Sequence, residues 1–155
     1  MELDRIDREI LAALQKNARI TNKELAQAVH LAPSSSHGRL KRLMEEGVVR
    51  GFHADVEAKA LGVFLEVMLA IRLKSHSTEQ TAAFEQHLDG LDEVLDVFHV
   101  AGAVDVLLRV AVRDVDHLNQ LVRDSIASRP EILNIETSLI FSHRRNRRGY
   151  PDFTD

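Results

Sequence analysis

Near residue 60 the apolar period of this chain changes. Before it, Leu3, Ile6, Ile10 and Leu14 recur at helical spacing; beyond it, Val63, Leu65, Val67, Leu69, Ile71 and Leu73 alternate with Phe64, Glu66, Met68, Ala70 and Arg72. A helical stripe and a one-sided strand bury their apolar faces differently, so the chain predicts a helical unit followed by a sheet-bearing one. With 155 residues, 45% of them hydrophobic, there is enough chain for two small units. The expected division is residues 1–50, a strand or wing with a connector over 51–62, a second domain over 63–143, and a basic tail over 144–155.

The first unit reads as three helices. Asp4 and Asp7 suit the first turn of the helix that carries the Leu3 to Leu14 stripe. Thr21 followed three residues later by Glu24 is a capping-box signal for a second helix, with Leu25 and Val29 inward. His30 to Ala32 make a short turn in which glycine is the expected residue if the backbone needs a positive φ. Pro33 fits the first position of a third helix and Gly47 fits just past its end.

On that third helix, Ser36, Leu40, Leu43 and Met44 fall on one stripe, which is expected to pack inward. Ser34, Ser35, Gly38 and Arg42 fall outward, with Arg39 and Lys41 on the flanks and His37 at the edge. Small side chains at a helix tip with cations on either side suit entry into a DNA groove. A glycine inside a helix costs roughly 1 kcal/mol relative to alanine, and Gly38 faces outward, where a close approach of backbone to DNA would account for it. The two helices then form a helix-turn-helix whose second member is the reader. The DNA-binding set is therefore Ser34, Ser35, Ser36, His37, Gly38, Arg39, Lys41 and Arg42. Val48 to Val56 reads as a short strand or wing, with Arg50 and His53 near phosphates.

The second unit reads as strand, helix, strand, strand, helix, strand. The strands are Val63 to Leu73, Val94 to Val100, Asp105 to Arg113 and Ile132 to Ser142. Ser77 with Gln80 caps a helix with Phe84, Leu88 and Leu91 inward; Asp114 or Asp116 opens one with Val115, Leu118, Val122 and Ile126 inward. This order predicts a ferredoxin-like βαββαβ domain with both helices on one sheet face, giving an α+β chain overall. The other face keeps Phe64, Met68, Ala70, Leu107 and Ile140, enough apolar surface to predict a second copy packed sheet against sheet.

The formal charge of −4 at first argues against a nucleic-acid partner. Its distribution reverses that: residues 1–50 hold 9 Lys and Arg against 7 Asp and Glu, residues 51–142 hold 7 against 15, and residues 143–155 hold 4 against 2. The acidity belongs to the second unit, and the weak net attraction of one reader calls for two on the same DNA. The absence of cysteine excludes disulfides and thiol chemistry and fits a cytoplasmic, nucleoid-associated address. The charged amino terminus is unlike a secretory leader, and the apolar run Gly62 to Ile71, broken by Glu66, is too short to cross a membrane. Eight histidines show no metal-ligand spacing, so neither a metal nor a cofactor is expected. The basic run 144–148 reads as a solvated tail with an auxiliary DNA contact as the alternative.

The stretches LDRIDREILAALQKNARIT, LAPSSSHGRLKRLMEEGVVRGF and HVAGAVDVLL together resemble the Lrp/AsnC family of transcription regulators. The resemblance spans nearly the whole chain. It implies an N-terminal winged helix-turn-helix, a C-terminal domain that dimerises and assembles to tetramers or octamers, and a small effector, usually an amino acid. By that resemblance the effector set is Ala101, Gly102, Ala103, Asp105 and Thr137. The chain departs from the family pattern at His30, at Ala32 and in the effector turn, where alanines replace polar residues at 101 and 103. Two alternatives stand beside a regulated operator binder: an architectural DNA-binding protein without effector, and a tetrapyrrole decarboxylase of the same architecture.

Overall fold

The computed structural model describes residues 2–75 and 77–144, apart from the side chains of Thr78 and Gln80. The chain divides into two compact units, one built on Met1–Asp55 and the other Val56–His143.

In the first unit, α1 (Arg5–Lys16), α2 (Asn22–Ala28) and α3 (Pro33–Glu45) surround one small core. Asp4 caps α1 by accepting from the Asp7 N–H, while the Asp7 carboxylate accepts from the Asp4 N–H. Thr21 and Glu24 make the same reciprocal pair at the start of α2. These boxes satisfy N–H groups that a helix start otherwise leaves without partners. Ile10, Leu14, Leu25, Val29 and Leu43 form the buried centre, with Leu3, Ile6 and Leu40 packed against it. Full burial of such a side chain contributes about 1.5–3 kcal/mol, so these few residues hold the three helices together.

His30 takes φ 54°, the left-handed conformation for which glycine was the expected residue. Gly47 takes φ 72° just after α3, and the chain turns there so that the Val49 N–H donates to the Leu43 carbonyl at 3.0 Å. Of the short strand or wing expected over Val48 to Val56, no strand forms: no residue of that segment pairs in a ladder. A strand needs a neighbour for its backbone groups, and the first unit contains none among the described residues.

The second unit opens with a single 3₁₀ turn, Ala58–Leu61, that Gly62 ends with φ 78°. Its elements are β1 (Leu65–Leu73), α4 (Thr78–Leu88), β2 (Val94–His99), β3 (Val106–Val112), α5 (Val115–Gln120) and β4 (Ile132–Leu139). The sheet is antiparallel in the order β2-β3-β1-β4, the ferredoxin-like arrangement. Val67, Leu69 and Ile71 of β1 and Val106, Leu108 and Val110 of β3 have no exposure and pack under Phe84, Leu88, Leu118, Leu121 and Ile126.

The helix after Asp114 does not run on regularly as the spacing predicts. Asp114 caps it through the His117 N–H, but at Leu121 it widens into a π-helix that ends at Ile126. The wider turn brings Leu121, rather than Val122, fully inward with Ile126, and Val115 at the start is left exposed. β4 ends at Leu139 instead of Ser142. The Ser77–Gln80 cap and His76 lie outside what is described.

Across the sheet from the helices lie Glu66, Met68, Ala70, Leu107, Arg109 and Ala111, all half-buried, with Phe98 exposed beside them. Arg109 sits among carboxylates on this face, 2.7 Å from Asp96 and 3.8 Å from Glu66.

Candidate nucleic-acid interface and effector turn

α3 begins without a side-chain cap. Ala32 stands at the capping position with extended backbone and offers no oxygen, and Pro33 follows it. Leu43 and Ser36 are fully buried, which fixes the inner side of the helix. At 100° per residue the opposite side centres on Ser34, Gly38 and Lys41, all exposed. Glu45 shares that side and pairs with Lys41 at 3.6 Å. A methyl group at Gly38 meets no atom within 4 Å outside its own stretch of helix, so no contact among the described residues requires glycine there.

Four expectations for α3 change. Ser36, counted with the DNA-binding residues, has no exposure, and its hydroxyl finds no partner among the described residues; the inward stripe claims it. Met44, expected inward, is 46% exposed, because Leu40 and Leu43 already fill the narrow contact with α1 and α2. Arg39 and Arg42 do not stand apart as free cations. Arg39 Nη1 donates to Asp7 Oδ1 at 2.8 Å and to Asp4 Oδ2 at 2.6 Å, and Arg42 Nη2 donates to Asp7 Oδ2 at 2.6 Å. They lie on the shoulder of the helix that faces the start of α1. Ser35 shares that shoulder, while His37 is exposed on the other side of the outward face.

The carboxyl of Asp4 is held below the ordinary carboxylate range, first by the Asp7 N–H and then by Arg39. Arg39 is raised, first by the Asp4 carboxylate and then by that of Asp7. Toward the end of α1, a cleft of about 590 Å³ lies between Leu11, Leu14 and Gln15 of that helix, with Ala18 just beyond it, and the segment Val48 to His53, which carries Arg50 and His53.

In the second unit Ala101, Gly102 and Ala103 form the exposed bend between β2 and β3. Gly102 has φ 140°, a conformation that side-chain-bearing residues rarely take. Asp105 closes the bend: its backbone N–H donates to the Ile71 carbonyl at 2.9 Å, its carbonyl accepts from Val100 at 3.0 Å, and its Oδ2 accepts from the Leu73 N–H at 2.7 Å. Thr137 is exposed on β4, opposite Leu69 across the other edge of β1. Two strand spacings, roughly 10 Å, therefore separate Thr137 from the Asp105 side of the sheet. A single chain brings Ala101, Gly102, Ala103 and Asp105 together and leaves Thr137 apart.

Two family models match this chain: a winged helix-turn-helix DNA-binding domain over residues 3–50, and the Lrp/AsnC ligand binding domain over residues 66–150. The chain belongs to the Lrp/AsnC family. It is 41% identical over 144 residues to the HTH-type transcriptional regulator AldR of Mycolicibacterium smegmatis, covering 93% of this chain and 84% of that one. It is 30% identical over 141 residues to the regulatory protein AsnC of Escherichia coli, covering 91% of each. Among solved structures, a transcriptional regulator of Neisseria meningitidis in complex with L-Met superposes with a TM-score of 0.86 at 27% identity, covering 97% of both chains. This Lrp/AsnC protein is thus a DNA-binding transcriptional regulator with a ligand-binding domain, and not a decarboxylase that shares its architecture.

Sequence reasoning missed two sets of contacts. The first is the tie from Asp4 and Asp7 to the arginines of α3, because a helical wheel gives a residue's face but not its partner 32 to 35 residues away. The second is the pairing of the histidines. His99 meets Glu85 at 2.8 Å, His117 meets Glu93 at 3.0 Å, and His87 Nε2 lies 2.6 Å from the Ser125 carbonyl, to which it donates. Among the described residues no three His, Asp or Glu gather as a metal site. No helix there is long and apolar enough to cross a membrane. Of the basic run 144–148, all but Arg144 lies outside the described residues.

Proposed function

We propose that this regulator binds a roughly palindromic operator through two copies of α3 and that a small amino acid, held at the Ala101–Asp105 bend, tunes that binding. The observation that carries the reading is the outward side of α3. It offers Ser34, Gly38 and Lys41, all exposed, with open space over Gly38, so the helix backbone is able to enter a major groove closely. Arg39 and Arg42 border the groove on one side, with His37, Arg50 and His53 as further donors to phosphates.

Two readers require two copies. The open sheet face, with Met68, Ala70, Leu107 and Phe98 around the Arg109 ion group, is the surface on which a second chain packs, and larger assemblies follow from dimers. The effector belongs to the amino-acid class, as L-Met does for the Neisseria relative. Asp105 supplies the negative charge for an ammonium group, and the backbone N–H groups around Gly102 face a carboxylate.

Selection of duplexes from a random pool, followed by footprinting, tests the operator. The expected result is a two-fold symmetric sequence with half-sites one helical turn or a multiple apart. Titration calorimetry against the twenty amino acids tests the effector. Heat with none of them leaves an effector-independent DNA binder, a reading with which the alanines at 101 and 103 are consistent.

A further inference from the structure

Asp7 is buried on α1, at 1% side-chain exposure, yet both of its oxygens are committed to the helix that reads DNA. Oδ1 receives Arg39 at 2.8 Å and Oδ2 receives Arg42 at 2.6 Å, while Arg39 also meets Asp4 at 2.6 Å. The two arginines sit one helical turn apart, so a single carboxylate grips both. Their side chains remain 29% and 44% exposed. A guanidinium is a rigid planar fork of five donors, so pinning one nitrogen fixes where the remaining N–H groups point.

Stability alone explains this arrangement poorly. A buried carboxylate with its cations is often no more stabilising than a well-packed apolar side chain, since desolvation offsets the attraction. α1 is already capped by Asp4, and the helices already share Ile10, Leu14 and Leu43.

We propose that Asp7 is the positioning residue of the DNA interface, a buried carboxylate that sets the guanidinium planes of Arg39 and Arg42 so that their outer N–H groups meet the operator. Asp4 steadies the Arg39 arm. The inference rests on α3 being the reader helix. With two aspartates against two arginines the cluster carries no net charge. Its contribution is then directional, favouring the correct sequence and register over DNA in general.

The test compares binding of the full chain to a duplex enriched from a random-sequence pool with binding to an unrelated duplex of equal length. Asp7→Asn is expected to lower enriched-duplex affinity on the order of tenfold, while affinity for the unrelated duplex stays level or rises because a negative charge is gone. In a background carrying Arg39→Ala and Arg42→Ala, Asp7→Asn is expected to cause no further loss. Undiminished affinity for the enriched duplex, equal losses on both duplexes, or a full further loss in the arginine-free background each overturns the proposal.

Should Asp7→Asn fail to fold, Asp4→Asn decides. Asparagine caps a helix as well as aspartate, so the fold stays while the Arg39 arm loses a charged partner. A loss of roughly threefold confined to the enriched duplex supports the proposal, and no loss overturns it. Lys41→Ala separates the two layers of the argument: a loss there with none for the aspartate variants overturns the positioning role alone, and no loss in any of them overturns the reader assignment as well.

Discussion

The side-chain amide of Asn22 donates to the carbonyl of Pro33 at 2.9 Å, tying the first residue of α2 to the first residue of α3. That bond orients the two helices but leaves the N–H groups at the start of α3 uncapped, since Ala32 has no acceptor to offer. Ala32→Ser places a hydroxyl at a position whose backbone is already extended, as a cap requires. It is expected to stabilise the first unit by about 1 kcal/mol, read as a higher urea midpoint followed by helical circular dichroism. An unchanged midpoint would show that the tie from Asn22 already holds the start of α3.

The turn before α3 stores strain. His30 is the one described non-glycine residue at positive φ, 54°, and no second residue shares the cost. A side chain in that region costs roughly 1–2 kcal/mol, of which glycine's greater freedom in the unfolded chain returns roughly half. His30→Gly is therefore expected to raise stability by about 0.5–1 kcal/mol without altering DNA affinity, because His30 belongs to the turn before α3 and not to its outward side. A drop in DNA affinity would place His30 at the interface instead.

How much of this was legible in the sequence follows from the range of each interaction. The cap at Thr21, the proline at 33 and the glycine at 47 act within four residues, and each stands where the spacing puts it; Asp4, expected in the first turn of α1, stands just before it as the cap. The alternation of β1 and β3 reports one buried face, and the sheet order follows from chain topology. What spacing hides is which neighbour a face meets. Arg39 and Arg42 read as free cations because Asp7, more than thirty residues earlier, is invisible to a wheel drawn on α3 alone. Thr137 likewise shares a family pattern with Asp105 although β1 lies between them.

Gly38 separates helix stability from DNA binding. The space around it is open, so Gly38→Ala meets no clash and is expected to stabilise α3 by about 1 kcal/mol. If the helix backbone approaches DNA closely there, the same methyl group weakens operator binding by on the order of tenfold. Thermal unfolding and DNA titration on one preparation read both effects. A variant that gains stability and keeps its DNA affinity would show that Gly38 does not face the groove floor.

Acid should act on the helix starts. Asp4 is held low by the Asp7 N–H and Arg39, Glu24 by the Thr21 N–H and hydroxyl, and Asp114 by Arg113 and then the His117 N–H. Each is a carboxyl whose folded-state value is depressed, so the folded chain binds fewer protons than the unfolded one. Their contribution is complete above the unfolded carboxyl values and is lost as pH falls through those values toward the lower folded ones. The urea midpoint is expected to be level at neutral pH and to fall from about pH 5 downward. Asp4→Asn keeps a capping oxygen but does not titrate, so its acid limb should be shallower. An identical limb would remove Asp4 from the account.

Asp105 carries both a structural and a proposed binding role, and amide and methyl substitutions distinguish them. Its Oδ2 accepts from the Leu73 N–H, a bond that an asparagine oxygen can also receive. Asp105→Asn should therefore fold with near-normal stability, whereas Asp105→Ala leaves the Leu73 N–H without that acceptor and costs about 1–3 kcal/mol. If the carboxylate also meets an effector's ammonium group, Asp105→Asn lowers amino-acid affinity at least about tenfold while DNA affinity without effector is unchanged. Calorimetry with the amino acid that gives heat with the unmodified chain reads the first, and DNA titration the second. Equal amino-acid affinity in the stable Asp105→Asn variant would confine Asp105 to closing the β2–β3 bend, and recognition at this site would then fall to the backbone around Gly102.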